Sequence, residues 1–334
     1  MTVNIALYDD LDAVAADAGG ALDRAAQPCL FYRLSWFRLL RDHCPPPGQL
    51  RAARAREGKR DAWLFLAVEG KEARAYSAWY SLRFDAAGDH GADVMTSLAR
   101  GLRSRGISQL TLAPIADPAP LRDALRAAGW RVFVRPKTGN WRIATEGVDF
   151  ETYWAARPAQ LRNTARRRAK SAGVEIEIFD RFDPEAWAAY EQVYRQSWKP
   201  EEGSFPFLRA LAEQEGAAGT LRLGVARKDG RPVAVQLWTV EDGEAIIHKL
   251  AYAEDAKPLS PGTLLGMAMF RRALDQDRVR LIDYGTGDDG YKKDWMDERR
   301  ELWEILAFDP ATLRGAIGAA RATASALVRR ARSV

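Results

Sequence analysis

Lys249-Leu250-Ala251-Tyr252, then Lys257-Pro258-Leu259-Ser260-Pro261-Gly262-Thr263, then Asp283-Tyr284-Gly285-Thr286-Gly287-Asp288-Asp289-Gly290-Tyr291-Lys292-Lys293 form the stretch whose reading decides the fold. The first segment closes a strand from Ala245 to Tyr252. Pro261 stands where a helix over 261–276 begins, a position that needs no N–H and whose φ proline presets. Gly262 lets backbone and ligand approach closely. The N–H groups of a helix's first turn and its dipole both favour an anion. A second strand, Val279 to Tyr284, follows the helix. Strand, turn and helix N-terminus together predict a site for a phosphate-bearing ligand.

Upstream of this unit, helices are expected over Asp149–Trp154, Pro158–Ser171 and Phe205–Glu215. Asp183-Pro184-Glu185 opens another, with a capping aspartate and proline at its first position, running to about Trp198. Val174–Phe179, Thr220–Ala226 and Pro232–Val240 read as strands, the last two joined by the turn Lys228-Asp229-Gly230-Arg231. Asp242-Gly243 is a second hairpin signal, and Leu302–Phe308 a final strand. The first half has the same outline. Helices are expected over Leu11–Ala26, Phe31–His43, Ala92–Arg105 and Pro120–Ala128. Strands are expected over Ala62–Val68, Ala73–Phe84, Gln109–Ala113, Arg131–Val134 and Asn140–Ile143. Cys44-Pro45-Pro46-Pro47-Gly48 ends the second of these helices, since proline cannot continue one. Both halves read as helices, hairpin, helix and short strand, a duplication of topology that implies α/β sheets with helices packed on them.

The 334 residues suffice for two domains, and composition is that of a soluble globular protein. No apolar run approaches the length that crosses a bilayer. Met1-Thr2-Val3-Asn4-Ile5 has no basic region ahead of an apolar stretch, so a signal peptide is not expected. Cys29 and Cys44 fit a reducing compartment, and with His43, His90 and His248 they match no zinc spacing, so no metal is expected. The net charge of +5 resides in the last segment, where Arg314, Arg321, Arg329, Arg330 and Arg332 occur without an acidic residue. The rest of the chain balances at 45 basic against 45 acidic residues, so no nucleic-acid partner is expected. The tail spaces Leu313, Ile317, Ala320, Ala324 and Leu327 as a helical stripe, which suits either an anionic membrane surface or docking on the protein body.

Three segments resemble the GNAT superfamily of acyl-CoA N-acyltransferases, in particular its tandem branch, which includes cellulose-biosynthesis-associated acetyltransferases and is related to Fem peptidoglycan aminoacyltransferases. They are Phe150-Glu151-Thr152-Tyr153-Trp154 with Leu161-Arg162-Asn163 and Arg166-Arg167-Arg168; Leu259-Ser260-Pro261-Gly262-Thr263-Leu264-Leu265; and Asp283 to Asp288 with Tyr291, Lys292 and Trp295. The likeness covers about 150–308 well and 1–145 in outline. It implies tandem GNAT-like domains of α/β class, with mixed, mostly antiparallel sheets flanked by helices. The expected division is a degenerate first domain over 1–145, an acyl-CoA-binding domain over 146–309 and a basic helix over 310–334. A typical GNAT turn reads Q/R-x-x-G-x-G/A. Lys257 to Gly262 keeps one glycine and a basic residue of it, so acyl-CoA, acyl carrier protein and aminoacyl-tRNA all stand as donors.

Transfer from a thioester to an amine needs a neutral amine, a donor for the oxyanion and a proton for the leaving thiolate. Strand alternation puts His248, Leu250 and Tyr252 on one face, with Ile247, Lys249 and Ala251 on the other. His248 is the candidate base. Tyr291 is the candidate proton donor, and Asp283 orients a base or accepts the substrate ammonium; packing roles are the competing readings of all three. Leu250, Tyr252, Lys257, Ser260, Gly262, Thr263, Leu264 and Lys292 are the expected donor-binding positions. Arg162, Arg166, Arg167, Arg168 and Lys170 make a basic helix that grips a phosphate group or simply faces water. The expected activity is N-acylation of an amine by acyl-CoA, with a lipid amine as in bacterial ceramide synthesis, a sugar amine or an amino acid as acceptor. The expected location is the cytoplasm, peripheral to the inner membrane face. Alternatives are a non-catalytic accessory of envelope assembly and a Fem-like aminoacyl-tRNA-dependent transferase.

Overall fold

Two structural units emerge from the repeated strand pattern, one of residues 1–138 and 301–334, the other of residues 139–300. The computed structural model describes residues 4–332, with side chains to residue 325. The Met1-Thr2-Val3 start and the side chains of Leu327, Arg329, Arg330 and Arg332 lie outside the described residues. In chain order the first half supplies β1 (Asn4–Tyr8), α1 (Leu11–Ala18), α2 (Leu34–His43), β2 (Gln49–Glu57), β3 (Arg60–Glu69), β4 (Glu72–Ala75), β5 (Ala87–Gly88), α3 (Ala92–Ser104), β6 (Gln109–Ile115), α4 (Ala119–Ala127) and β7 (Arg131–Ala144). The second half supplies α5 (Phe150–Ala155), α6 (Ala159–Ser171), β8 (Val174–Phe179), α7 (Pro184–Arg195), α8 (Phe205–Ala217), β9 (Leu221–Lys228), β10 (Arg231–Glu241), β11 (Glu244–Tyr252), α9 (Pro261–Arg271), β12 (Leu281–Thr286), β13 (Glu298–Phe308) and α10 (Leu313–Arg332).

The first unit orders its strands β1-β2-β3-β4-β6-β13, and the second β8-β9-β10-β11-β12-β7. Neighbours are antiparallel except β4 with β6 and β11 with β12. Each of those two ladders spans three residue pairs, Glu72↔Gln109 to Arg74↔Thr111 and Glu244↔Leu281 to Ile246↔Asp283. The closing strands are exchanged between the sequence halves. β7 follows β6 and α4 in the chain yet its residues 140–144 pair with β12, while β13 follows β12 yet pairs with β6. Fold class is therefore α/β with mixed, mostly antiparallel sheets, as the sequence implies.

Strands β1 and β2 escape the sequence reading. In β2 the core side is the small Ala53 and Ala55, opposite Leu64 and Ala62 of β3, with Arg54 between them. Its other side carries buried Arg54 against Trp63. The helix expected to reach Ala26 stops at Ala18, where Gly19 takes a left-handed φ of 54° and donates to the Ala15 carbonyl. The strand expected to reach Phe84 ends at Ala75. α10 docks through small residues. A Cβ on Gly318 would lie 2.5 Å from Phe308, Ala319 is buried, and Arg314 pairs with Glu72. The stripe that includes Leu313 and Ile317 faces away from that contact and is exposed.

The second unit's core joins β9, β10 and β11 to α5 and α9 through a ring cluster. Phe270 of α9 stacks on Tyr153 (5.0 Å) and meets Trp238 edge-on (5.3 Å) and Trp295 at 5.0 Å. Such aromatic pairs contribute about 0.5–1.5 kcal/mol each beyond area burial. α9 is drawn against β9 because Gly224 has no side chain there; a Cβ would sit 2.7 Å from the Met269 sulfur.

Candidate functional site

After Ile246 and Asp283 the strands β11 and β12 part, although both continue, to Tyr252 and Thr286. At this parting lies a cleft of about 340 Å³. Leu250 and Tyr252 of β11, Gln236 of β10 and Tyr284 of β12 form its strand walls. Lys257, Ser260, Pro261, Gly262, Thr263 and Gly266 come from the turn and first turns of α9, with Leu161 from α6 beside them. Trp198 and the loop residues Tyr291, Asp294 and Trp295 complete it. Gly266 sets its depth, since a Cβ there would lie 2.9 Å from the Trp295 ring. Six of the expected donor-binding residues therefore meet at one cleft: Leu250, Tyr252, Lys257, Ser260, Gly262 and Thr263.

The anion cradle expected at the start of α9 is poorer in donors than the sequence suggests. Ser260 adopts a left-handed conformation (φ 53°), unusual for a side-chain-bearing residue, and its N–H donates to the Lys257 carbonyl (3.0 Å). Pro261 has no N–H. Thr263 and Leu264 both donate to the Ser260 carbonyl, at 3.1 and 3.2 Å. Among the amides of 260–264, only that of Gly262 has no backbone acceptor in the described residues. Leu264 is buried outside the cleft lining. Lys292 is also buried and outside the lining. Its ammonium donates to the Thr286 (2.5 Å) and Gly287 (3.3 Å) carbonyls and lies 3.7 Å from Asp289. It ties the 286–289 loop together, so a phosphate contact from it is corrected to a structural role.

The face expected for His248 is overturned by a β-bulge. Leu237 opposes Lys249 and Trp238 opposes Ile247, so His248 is the extra residue and alternation slips by one. Ala245, Ile247, Leu250 and Tyr252 consequently share the face of Trp238 and Gln236, because directly opposed residues point to the same side. His248 is outside the cleft lining and its Nε2 lies 2.9 Å from the Thr239 hydroxyl. Burial pushes its imidazole down to about 4, against the opposing pull of Glu215 and Asp283. It is neutral at pH 7 and too weak a base for an ammonium.

Asp283 is 1% exposed and also outside the lining. It accepts from Asn140 Nδ2 at 2.6 Å and from the Gly285 N–H at 2.8 Å, with Arg300 at 3.6 Å. The Asn140 bond holds β12 to β7 and the Gly285 bond braces β12 itself, so its place is in the sheet. Tyr291 lies in the lining, edge-on to Tyr284 at 5.9 Å. Burial, helped by Asp289 and Tyr252, raises its phenol above the usual range, so it keeps its proton.

A second group, unseen in the sequence, gathers around Lys249. Its ammonium lies 2.9 Å from the buried Glu202 carboxylate and 5.8 Å from the centre of the Tyr194 ring. Lys199 follows Trp198 of the lining, with its ammonium 5.6 Å from that indole. Burial lowers Lys199 to about 8, reinforced by Lys249 and Lys292. The signal was faint, because Trp198-Lys199 and Glu202 sit in an irregular stretch between two helices and reach β11 only through the fold.

Residues 156–293 match the family model of the acetyltransferase (GNAT) domain. The whole chain is similar in structure to the C-terminal domain of a putative lysylphosphatidylglycerol synthetase from Agrobacterium fabrum, with TM-score 0.59 and 15% identity, covering 96% of this chain and 97% of that one. It is similar to FemX, at TM-score 0.54 and 10% identity over 80% of this chain and 94% of that one. It is also similar to the tandem GNAT protein from the clavulanic acid biosynthesis pathway, at 0.50 and 14% over 91% and 98%. At these identities the likeness is one of fold. No curated protein matches the sequence. Residues 156–293 of the second unit thus carry a GNAT domain, and the chain as a whole has the fold of the tandem GNAT protein.

Proposed function

We propose that the protein is an N-acyltransferase that moves an acyl group from a pantetheine thioester to an amine by direct attack in a ternary complex. The observation that supports this reading most strongly is the cleft at the parting of β11 and β12, with the α9 turn at its mouth and Tyr291 inside. A pantetheine arm is narrow and flexible, and suits a channel walled by Leu250, Tyr252 and Tyr284. The amine nitrogen attacks the thioester carbon; the C–N bond forms and the C–S bond breaks. Lys199 takes the proton from the incoming ammonium, and its lowered affinity near 8 suits that exchange close to neutral pH. As the C–S bond breaks, Tyr291 passes its proton to the departing sulfur and takes up the one shed by the new amide nitrogen, so the thiol leaves neutral and the phenol is regenerated. The donor is a pantetheine thioester, borne by CoA or by a carrier protein, and the acceptor an amine, small or lipid-borne. The exposed Leu313–Ile317 stripe of α10 supports peripheral membrane contact. Among the described residues no helix is long and apolar enough to cross a membrane.

The test is thiol release by the purified protein, with acyl thioesters of increasing chain length crossed against an amine panel and with aminoacyl-tRNA as a separate arm. Amine-dependent thiol release is the expected result. Turnover of aminoacyl-tRNA alone would replace the donor, and binding without any turnover would favour an accessory role.

A further inference from the structure

The cationic helix α6 is the largest uncompensated charge beside the cleft. Its 13 residues include Arg162, Arg166, Arg167, Arg168 and Lys170 and no carboxylate. Arg166, Arg167 and Lys170 are exposed. The side-chain hydrogen bonds of this set run to neutral groups, Arg162 to the Arg157 carbonyl at 3.0 Å and Arg166 to the Asn163 amide oxygen at 3.0 Å. Arg168 Nε is buried without an acceptor. No carboxylate of the described residues pairs with any of the five, whereas most arginines of this protein are paired. The helix also touches the site directly, since Leu161 in its first turn is part of the cleft wall.

The α9 turn supplies the second half of the argument. A diphosphate needs several convergent donors, and the turn offers the Gly262 amide, the Ser260 hydroxyl and the Lys257 ammonium. That set matches a single phosphodiester better than the diphosphate and third phosphate of a nucleotide carrier. Extent decides between the macromolecules that bring an acyl group on one phosphodiester or one ester. α6 is about 20 Å long at 1.5 Å per residue, which is the footprint of one helix. A nucleic acid requires a basic surface that tracks many phosphates, and outside the tail the chain's charges balance.

We propose that the acyl group is delivered by a small acidic carrier protein, which docks an acidic helix on α6 and inserts a phosphopantetheine arm between β11 and β12. The inference rests on the thioester-transfer reading for its chemistry, but docking itself is measurable without turnover. Arg166, Arg167 and Lys170 steer and hold the carrier, as complementary charge at an interface does. The single phosphodiester at the root of the arm meets Lys257, Ser260 and the Gly262 amide.

The experiment titrates the full chain, by the fluorescence of Trp198 and Trp295 in the cleft, with three probes: a holo acyl carrier protein, the same carrier without its arm, and CoA. Holo carrier should bind at least about 10-fold more tightly than CoA and than the armless carrier. In R166E/R167E/K170E the carrier's advantage over CoA should disappear, with the melting temperature retained because all three positions are exposed. Equal affinity for CoA and holo carrier in the native protein would overturn the proposal. So would an unchanged carrier affinity in the triple variant, or tight binding of aminoacyl-tRNA with none of the carrier. Carrier binding without acyl transfer to any amine would leave the docking surface standing and remove the catalytic reading instead.

Discussion

The two units share strand order and a three-residue parallel ladder, and they differ in what happens where that ladder ends. In the second unit the chain leaves β11 and reaches α9 through residues 253–260, so the parting of β11 and β12 stays open as the cleft. In the first unit the connection from β4 to α3 runs over 76–91, about twice as far, and it crosses the corresponding gap. The Tyr76 N–H donates to Phe65 of β3 at 2.9 Å. The Ser77 hydroxyl donates to the Ala113 carbonyl at 3.1 Å and the Phe84 N–H to that of Pro114 at 2.7 Å, both on β6. Tyr76, Tyr80, Leu82 and Phe84 are buried along this path. One sheet design therefore gives a channel or a plug according to the route of a single connection.

The sharpest way to break the comparison is to plug the second unit as the first plugs itself. Thr263→Trp, in the cleft lining on the first turn of α9, should lower kcat/KM by roughly 1,000-fold or more, a loss of about 4 kcal/mol, with the melting temperature little changed. A fully active variant would remove the cleft as the reaction site. The converse change, Phe84→Ala, removes a buried ring from the plug and should cost about 3–4 kcal/mol in denaturant unfolding. Thioester affinity should stay as it was; a new binding site in the first unit would mean that the plug alone separates the units.

Lys199→Met should lower kcat by roughly 10–100-fold. The native rate should rise with pH through about 8 as the Lys199 ammonium loses its proton, and the variant should lose that limb. An unchanged profile would take Lys199 out of the proton path. His248→Gln should have the smallest effect, with turnover at pH 7.5 within about 3-fold, because the imidazole is off the cleft. Its signature is in stability. The folded imidazole titrates near 4 and an unfolded one near 6.5. Above 6.5 both states are neutral. As pH falls from 6.5 to 4 the unfolded chain takes up a proton that the folded one refuses, so stability is lost across that window. The variant should lose about 2–2.5 kcal/mol less there, read from urea unfolding at pH 7 and pH 4.5; parallel curves for the two proteins would contradict the burial argument.

What the sequence disclosed was local. Pro261-Gly262, the Asp242-Gly243 hairpin and the capping Asp183-Pro184 act through neighbouring backbone, and the elements stand where those residues put them. The strand-turn-helix unit also led to six residues of the cleft. The misplacements arise from non-local facts. One inserted residue at His248 reverses a face, and nothing in Ile246-Ile247-His248-Lys249-Leu250 marks it, because β-branched and polar residues fit either register. Lys292 and Asp283 resemble site residues in a list of charges. Their partners, two loop carbonyls for one and Asn140 for the other, lie far off or are backbone. Ala53 and Ala55 form a buried strand face too small to register as hydrophobic. The Tyr76–Phe84 stretch, rich in aromatics, resembles a strand because a buried plug and a buried strand need the same side chains.

The exchange of β7 and β13 has a consequence for inheritance of the two halves. A backbone cleaved near residue 145 would yield two polypeptides, each lacking the edge that seals its own sheet and each carrying the edge its counterpart lacks. Neither piece is a self-sufficient module. Expressed apart they should be poorly soluble; expressed together they should recognise one another by reciprocal donation.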